Sequence, residues 1–214
     1  MMPELSQLYD QAFFQEWGKG NEKYVDSARR ITDFLMTEHK PRRIVDVGCG
    51  SGVYGHFFRK NKVSVIELDG VVPPPEETFA PKVELRDLTE PFENEWGEFD
   101  FALCLEVAEH IPESLADPFL DNLCRLSDRL VLSAAPPNQG GTHHVNEQPR
   151  RYWVRKLAER GFGYDKESSG RLQEHFKARG LPHMWMCLHI SFFDRVKESS
   201  PKVLKDRLRT ALKA

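Results

Sequence analysis

Alternating glycines follow an acid in Val45-Asp46-Val47-Gly48-Cys49-Gly50-Ser51-Gly52. Glycines at every second position let a chain turn tightly and let a ligand approach the backbone with no Cβ in the way. A helix beginning just beyond them would leave its first N–H groups free to face that ligand. Gly50-Ser51-Gly52-Val53-Tyr54-Gly55 also fits the G-x-G-x-x-G spacing of dinucleotide sites. Asp46 counts against a pyrophosphate, which it would repel. It suits a cationic ligand such as S-adenosylmethionine, with its ammonium and sulfonium groups.

Two more acids follow at strand-like spacing. Glu67 comes after the apolar pair Val65-Ile66, about 20 residues past the glycines, where an acid accepts hydrogen bonds from ribose hydroxyls. Asp69 competes for that role, and Glu67 is preferred because it follows the apolar pair directly. In Arg86-Asp87-Leu88, Asp87 can accept from an adenine amino group while Leu88 packs on the ring.

Polar groups that could act on a second substrate form two clusters. Glu106, Glu109 and His110 share one face if their turn is helical, and His143 and His144 lie in a glycine-rich loop. Three readings stay open. His144 or His143, with Glu106, takes a proton as general base. Alternatively, Glu106, Glu109, His110 and a loop histidine hold Mg²⁺ or Mn²⁺. In the third, Glu109 and His110 order the turn and do no chemistry.

These residues need elements to position them. Short apolar runs are expected as strands at 43–47, 63–66, 83–85, 99–105 and 129–133, with 162–164 a short strand and 184–193 a long one. Helical spacing is expected over 24–38, 118–126, 147–160 and 171–179, with Asp117 and Asn146 as N-caps of the second and third. Continuous apolar strands separated by helices imply a mostly parallel sheet covered on both faces. Tyr9, Phe13, Phe14 and Trp17 form an aromatic N-terminal stretch that could cover a ligand, whereas Trp185 and Met186 are expected in the core. The tail beyond Glu198 reads as a basic amphipathic helix docked on the domain.

The 214 residues suffice for one sizeable core. Hydrophobic residues make up 40% and charged ones 29%, which excludes a disordered chain. No window approaches the roughly 18 apolar residues of a membrane span. Met1 to Ser6 lacks the basic start and apolar run of a secretory signal. The four cysteines show neither metal-ligand pairing nor a disulfide framework, and a cytoplasmic location is expected. A net charge of −3 argues against a nucleic-acid partner.

The glycine loop, Glu67, Asp87 and Leu103-Cys104-Leu105-Glu106-Val107-Ala108-Glu109-His110 together resemble the class I S-adenosylmethionine-dependent methyltransferases. Within them, the chain is most similar to methyltransferase-domain proteins that carry Gly140-Gly141-Thr142-His143-His144-Val145-Asn146-Glu147-Gln148. The resemblance implies an α/β, Rossmann-like three-layer sandwich whose seven-stranded, mostly parallel sheet has an antiparallel last strand. It implies S-adenosylmethionine as cofactor and S-adenosylhomocysteine as product. The implied cofactor set is Asp46, Gly48, Cys49, Gly50, Gly52, Glu67, Leu68, Asp87, Leu88 and Leu105. The expected organisation is a helical cap over 1–40, the core over 41–195 and the basic helix over 196–214. The expected activity is methylation of a small molecule or glycan, at oxygen before nitrogen or carbon. The alternatives are metal-assisted 2′-O-methylation of RNA termini, since Glu-x-x-Glu-His with a later histidine resembles the metal site of small-RNA methyltransferases; a nicotinamide-dependent oxidoreductase; and a non-catalytic adenosyl-ligand module.

Overall fold

The computed structural model describes residues 5–196. Two short helices, α1 (Leu5–Leu8) and α2 (Gln11–Glu16), precede the long α3 (Glu22–His39). Asp10 caps α2 by accepting the Phe13 N–H, and Asn21 caps α3 by accepting that of Tyr24. Lys40, in the left-handed conformation, ends α3 just before Pro41. The chain then runs through β1 (Arg43–Val47), α4 (Val53–Lys60), β2 (Ser64–Asp69), β3 (Glu84–Leu85), β4 (Phe101–Leu105), α5 (Ala116–Leu126) and β5 (Arg129–Ser133). It finishes with α6 (Arg150–Glu159), β6 (Phe162–Asp165), α7 (Lys166–Arg179), α8 (Trp185–Leu188) and β7 (Ser191–Arg195).

The sheet has seven strands in the order β3-β2-β1-β4-β5-β7-β6. Neighbours from β3 through β5 pair parallel, and β7 runs antiparallel to both β5 and β6. Side chains alternate across it. Val45, Val47, Ala102, Cys104, Leu130 and Leu132 face α5 and α6 in one core. Ile44, Phe101, Leu103, Val131 and Phe192 face α3, α4 and α7 in the other. The expected three-layer, mostly parallel sandwich with its antiparallel last strand is what forms.

Local boundaries differ in instructive ways. The expected strand over 184–193 divides into the α8 turn and a strand that begins only at Ser191. A short apolar run reads alike as strand or buried helix. Asp117 lies inside the first turn of α5, where it accepts from Lys156 of α6 and from Arg160 at its C-cap and leaves the N-cap position to Leu115. Helix α6 starts after Pro149 and not at Asn146, which is buried elsewhere. The expected C-terminal helix lies outside the described residues. No described helix is long and apolar enough to cross a membrane.

Phe119 on α5 is fully buried between helix and sheet. Phe119→Ala is expected to lower the unfolding free energy by about 3–5 kcal/mol, since the cavity adds to the lost transfer energy. Denaturant melts at matched slope check this.

Candidate functional site

At the carboxyl edge of β1, β2 and β4 lies a cavity of about 990 Å³, and the glycine loop forms its floor. Gly48 has φ +71°, and a Cβ there would sit 2.4 Å from Val107. Gly50 has φ +52° with open space where its Cβ would be, so the backbone is presented bare to whatever fills the cavity. Asp46, Gly48, Cys49, Gly50, Asp87, Leu88 and Leu105 all line this space.

The acids are arranged differently from the sequence expectation. Glu67 and Asp69 lie on the same face of β2, but only Asp69 reaches the cavity. Glu67 is 2% exposed and ion-paired to Arg59 of α4 at 2.6 Å, with its Oε1 close against Gly52 and Gly55. Glu67, Gly52 and Leu68 therefore line no part of the cavity. Asp69 Oδ2 accepts the Gly50 N–H at 2.8 Å, and Oδ1 accepts that of Val71 at 2.9 Å. Asp69 thus fixes the glycine loop and faces the ligand space. The last residue of a parallel strand is the one nearest that space, and this was the available signal.

Carboxyl groups accumulate here. Asp46 is 2% exposed, and its Oδ2 has no partner. Burial pushes its carboxyl well above the usual range, and Glu67 and Asp69 push the same way against Arg59. Asp69 is raised by burial and held back by the N–H groups it accepts. Asp87 Oδ1 accepts from both the backbone and hydroxyl of Thr89, which fixes the turn that carries Leu88.

Glu106 follows β4 in the left-handed conformation, at φ +58°. That placement costs a non-glycine residue about 1–3 kcal/mol unless neighbours hold it. Ser133, at the end of β5, does so twice. Its Oγ accepts the Glu106 N–H at 3.0 Å and donates to Glu106 Oε1 at 2.6 Å. Gln139 donates to Oε2 at 3.4 Å. Glu109 and His110 occupy a 3-10 turn from Ala108 to His110, so Glu106 stands outside that turn. The Glu109 carbonyl accepts the N–H groups of Val145 and Asn146, both at 2.9 Å, and so clamps the histidine loop to β4.

The loop is also held by Glu147, a residue the sequence showed only as part of a motif. Glu147 accepts from the backbones of Asn138 and Gly140, and its Oε1 lies 3.0 Å from His144 Nδ1. A carboxylate at Nδ1 assigns the proton there, which leaves the Nε2 lone pair directed inward. His144 Nε2 lies 4.0 Å from Glu109 Oε1. Glu109 is fully buried, and neither carboxylate oxygen has a partner. Burial, then Glu106, drives its carboxyl well above the normal range. Burial and then His144 push the imidazole of His110 down to about 4. Glu109, His110 and His144 present ligand atoms within 4.8 Å of one another, so the set has the composition to hold a divalent cation. His143 lines the cavity from a left-handed position.

Aromatic rings close the remaining side. Phe13, Phe14 and Trp17 come from the N-terminal helices, and Tyr24, Tyr54 and Trp185 join them. Trp185 stands at 90° to Trp17 with 5.6 Å between ring centres, on the cavity wall, not solely in the core as expected.

Comparison with known proteins agrees with this geometry. A family model described as a methyltransferase domain matches residues 19–181. The chloroplastic magnesium protoporphyrin IX methyltransferase of Arabidopsis thaliana is 30% identical over 133 residues, which cover 55% of this chain and 40% of that protein's length. The solved 1,6-didemethyltoxoflavin-N1-methyltransferase of Burkholderia thailandensis, with bound S-adenosylhomocysteine, superposes with a TM-score of 0.60. Its identity is 16%, over 92% of each chain. The magnesium protoporphyrin IX methyltransferase of Synechocystis PCC 6803, with bound S-adenosylmethionine, gives 0.58 at 17% identity over 90% of each chain. At such identities the structural likeness speaks for the fold alone.

Arg59 compensates Glu67, whose side chain is 1% exposed. Arg59→Ala is expected to destabilise the protein by about 3 kcal/mol at neutral pH, because an unpaired buried carboxylate remains. The loss should shrink in acid, as Glu67, whose carboxyl burial already raises, takes a proton. Melts of both proteins at neutral and acid pH test it.

Proposed function

Because the chain belongs to the methyltransferase-domain family, we propose that it transfers the methyl group of S-adenosylmethionine to a small molecule or glycan, at oxygen. The unpartnered, buried Asp46 Oδ2 supports this most. Asp46 lies beside Glu67 and Asp69, with Arg59 the cation that opposes them in the electrostatics of Asp46. A pyrophosphate would worsen that imbalance and a ligand with ammonium and sulfonium charges relieves it, so the dinucleotide alternative lapses.

The residues fit such a ligand. Asp46 faces its positive groups, the bare backbone at Gly48 to Gly50 admits its amino-acid end, and Asp69 accepts the ribose hydroxyls in place of Glu67. Asp87 and Leu88 take the adenine. When bound, S-adenosylmethionine supplies a methyl carbon activated by its sulfonium. Glu106, held by Ser133, and His144, oriented by Glu147, are positioned to receive the proton of an acceptor hydroxyl, with His143 beside them. The N-terminal aromatic helices act as the cap that excludes water.

A divalent cation on Glu109, His110 and His144 is a second reading, favoured by Glu109's two orphaned oxygens. It requires Mn²⁺ to raise the melting temperature of the wild type and not of Glu109→Gln. An equal response in both, or none, removes it.

Calorimetry with S-adenosylhomocysteine tests the cofactor site. Asp69→Asn is expected to weaken binding roughly 10–100-fold, which corresponds to one charge-assisted hydrogen bond of about 1.5–3 kcal/mol. Glu67→Gln should leave affinity within about threefold of wild type, because its pairing with Arg59 lies behind the loop. The reverse order would return the ribose to Glu67. Single-turnover methyl transfer to any acceptor excludes a non-catalytic module.

A further inference from the structure

The cavity lies at the upper end of ligand-pocket sizes, and part of its wall has a distinct chemistry. About 990 Å³ stands at the top of the roughly 300–1,000 Å³ range for one drug-sized ligand. The cofactor residues occupy the glycine-loop end. The lining also includes Phe13, Trp17, Tyr24 and Trp185 with Glu106 and Glu109, and Tyr24 reaches back to Ser51 and Asp46 at the loop.

We propose that the acceptor is a flat aromatic molecule that carries no negative charge, held by these rings and by the Glu106 and Glu109 carboxyls of the same cavity. This rests on the methyl-transfer reading of the same site.

The rings set the shape. Trp17 stands at 78° to Tyr24 and 90° to Trp185, with centres 5.7 and 5.6 Å apart. Tyr9 meets Phe13 at 78° and 5.0 Å. Perpendicular rings at these spacings offer both faces and edges, which is the geometry that aromatic partners prefer. A flexible aliphatic chain gains only area from such a wall, whereas a planar ring gains area and quadrupole complementarity.

The charges set the sign. Five carboxylates, Asp46, Asp69, Asp87, Glu106 and Glu109, line the cavity, and no lysine or arginine does so among the described residues. Ring faces are themselves electronegative, so the aromatic wall and the carboxylates disfavour an anion together. An acceptor bearing a carboxylate or phosphate would have to lose its hydration against this lining with no cation to replace it. An uncharged ring with one polar edge meets Glu106 and Gln139 at that edge and aromatic carbon elsewhere.

Phenylnaphthylamine and anilinonaphthalene sulfonate share one ring system, without and with a sulfonate, and both fluoresce when they enter an apolar site. Titrated into the protein saturated with S-adenosylhomocysteine, the uncharged probe is expected to bind at least about tenfold more tightly. Trp17→Ala should weaken it about fivefold or more, while Glu106→Gln combined with Glu109→Gln should narrow the gap between the probes. A plain greasy pocket would not show that narrowing. Equal or tighter binding of the sulfonate, with or without added Mn²⁺, overturns the proposal. Should S-adenosylhomocysteine fail to bind, the methyl-transfer reading falls instead, and the same pair titrated into the ligand-free protein still reads the charge preference of the wall.

Discussion

Three carboxylates sit together at the carboxyl edge of the sheet, and they are opposed chiefly by one guanidinium. Asp46 of β1 pairs in register with Glu67 of β2, and Asp69 follows two residues on along the same face. Parallel strands bring such residues side by side without regard to their charge. Burial raises all three carboxyls, and Arg59 relieves Glu67 first. A stable protein tolerates this only where hydrogen bonds or a ligand answer the charge. Asp69 finds backbone N–H groups in Gly50 and Val71, and in doing so it shapes the glycine loop. Asp46 keeps one oxygen unanswered. The shape of the loop follows from the way Asp69 is answered.

The second half of the cavity depends on backbone clamps more than on charge. The Glu109 carbonyl ties the histidine loop to β4, Glu147 ties the loop to itself, and Ser133 holds Glu106 in a conformation it would not adopt alone. These contacts join segments that follow β4 and β5, which are neighbours in the sheet but well separated in sequence. The side chains on this wall of the cavity are therefore set by strand order. Point changes in the clamps would displace them without touching the sheet.

What the sequence could and could not disclose follows the same division. Glycine spacing and strand periodicity are local, so the β1 loop, the order of strands and helices, and the layered fold were readable from residues alone. Asp87, Leu88 and Leu105 also follow directly from strand ends. The choice between Glu67 and Asp69 was harder, since both lie on one face of one strand and only the depth of β2 and the pairing with Arg59 separate them. Trp185 was obscure for another reason. The run Met184 to Leu188 is apolar at every position, so periodicity cannot tell strand from turn, and its packing against Trp17 decides. Ser133 and Glu147 gave no local signal, because their partners lie 27 residues away for Ser133 and within an irregular loop for Glu147.

Tyr9 shows how the two halves meet. Its ring stands edge-on to His110 and to His143, both 5.8 Å away, and it belongs to the N-terminal stretch that borders the cofactor end. Burial raises its hydroxyl to about 12, and Asp69 and Glu109 add to the shift. A single side chain thus feels Asp69 at the end of β2 and Glu109 in the turn after β4. Any movement of α1 and α2 would change the solvation of both acids at once. Burying them together strengthens every interaction inside the cavity, because the same charges attract or repel more strongly once water is excluded. Under the proposed methyl transfer, cofactor retention and acceptor selection would share one cause, the closeness of an aromatic N-terminal segment to an edge of buried carboxyl groups.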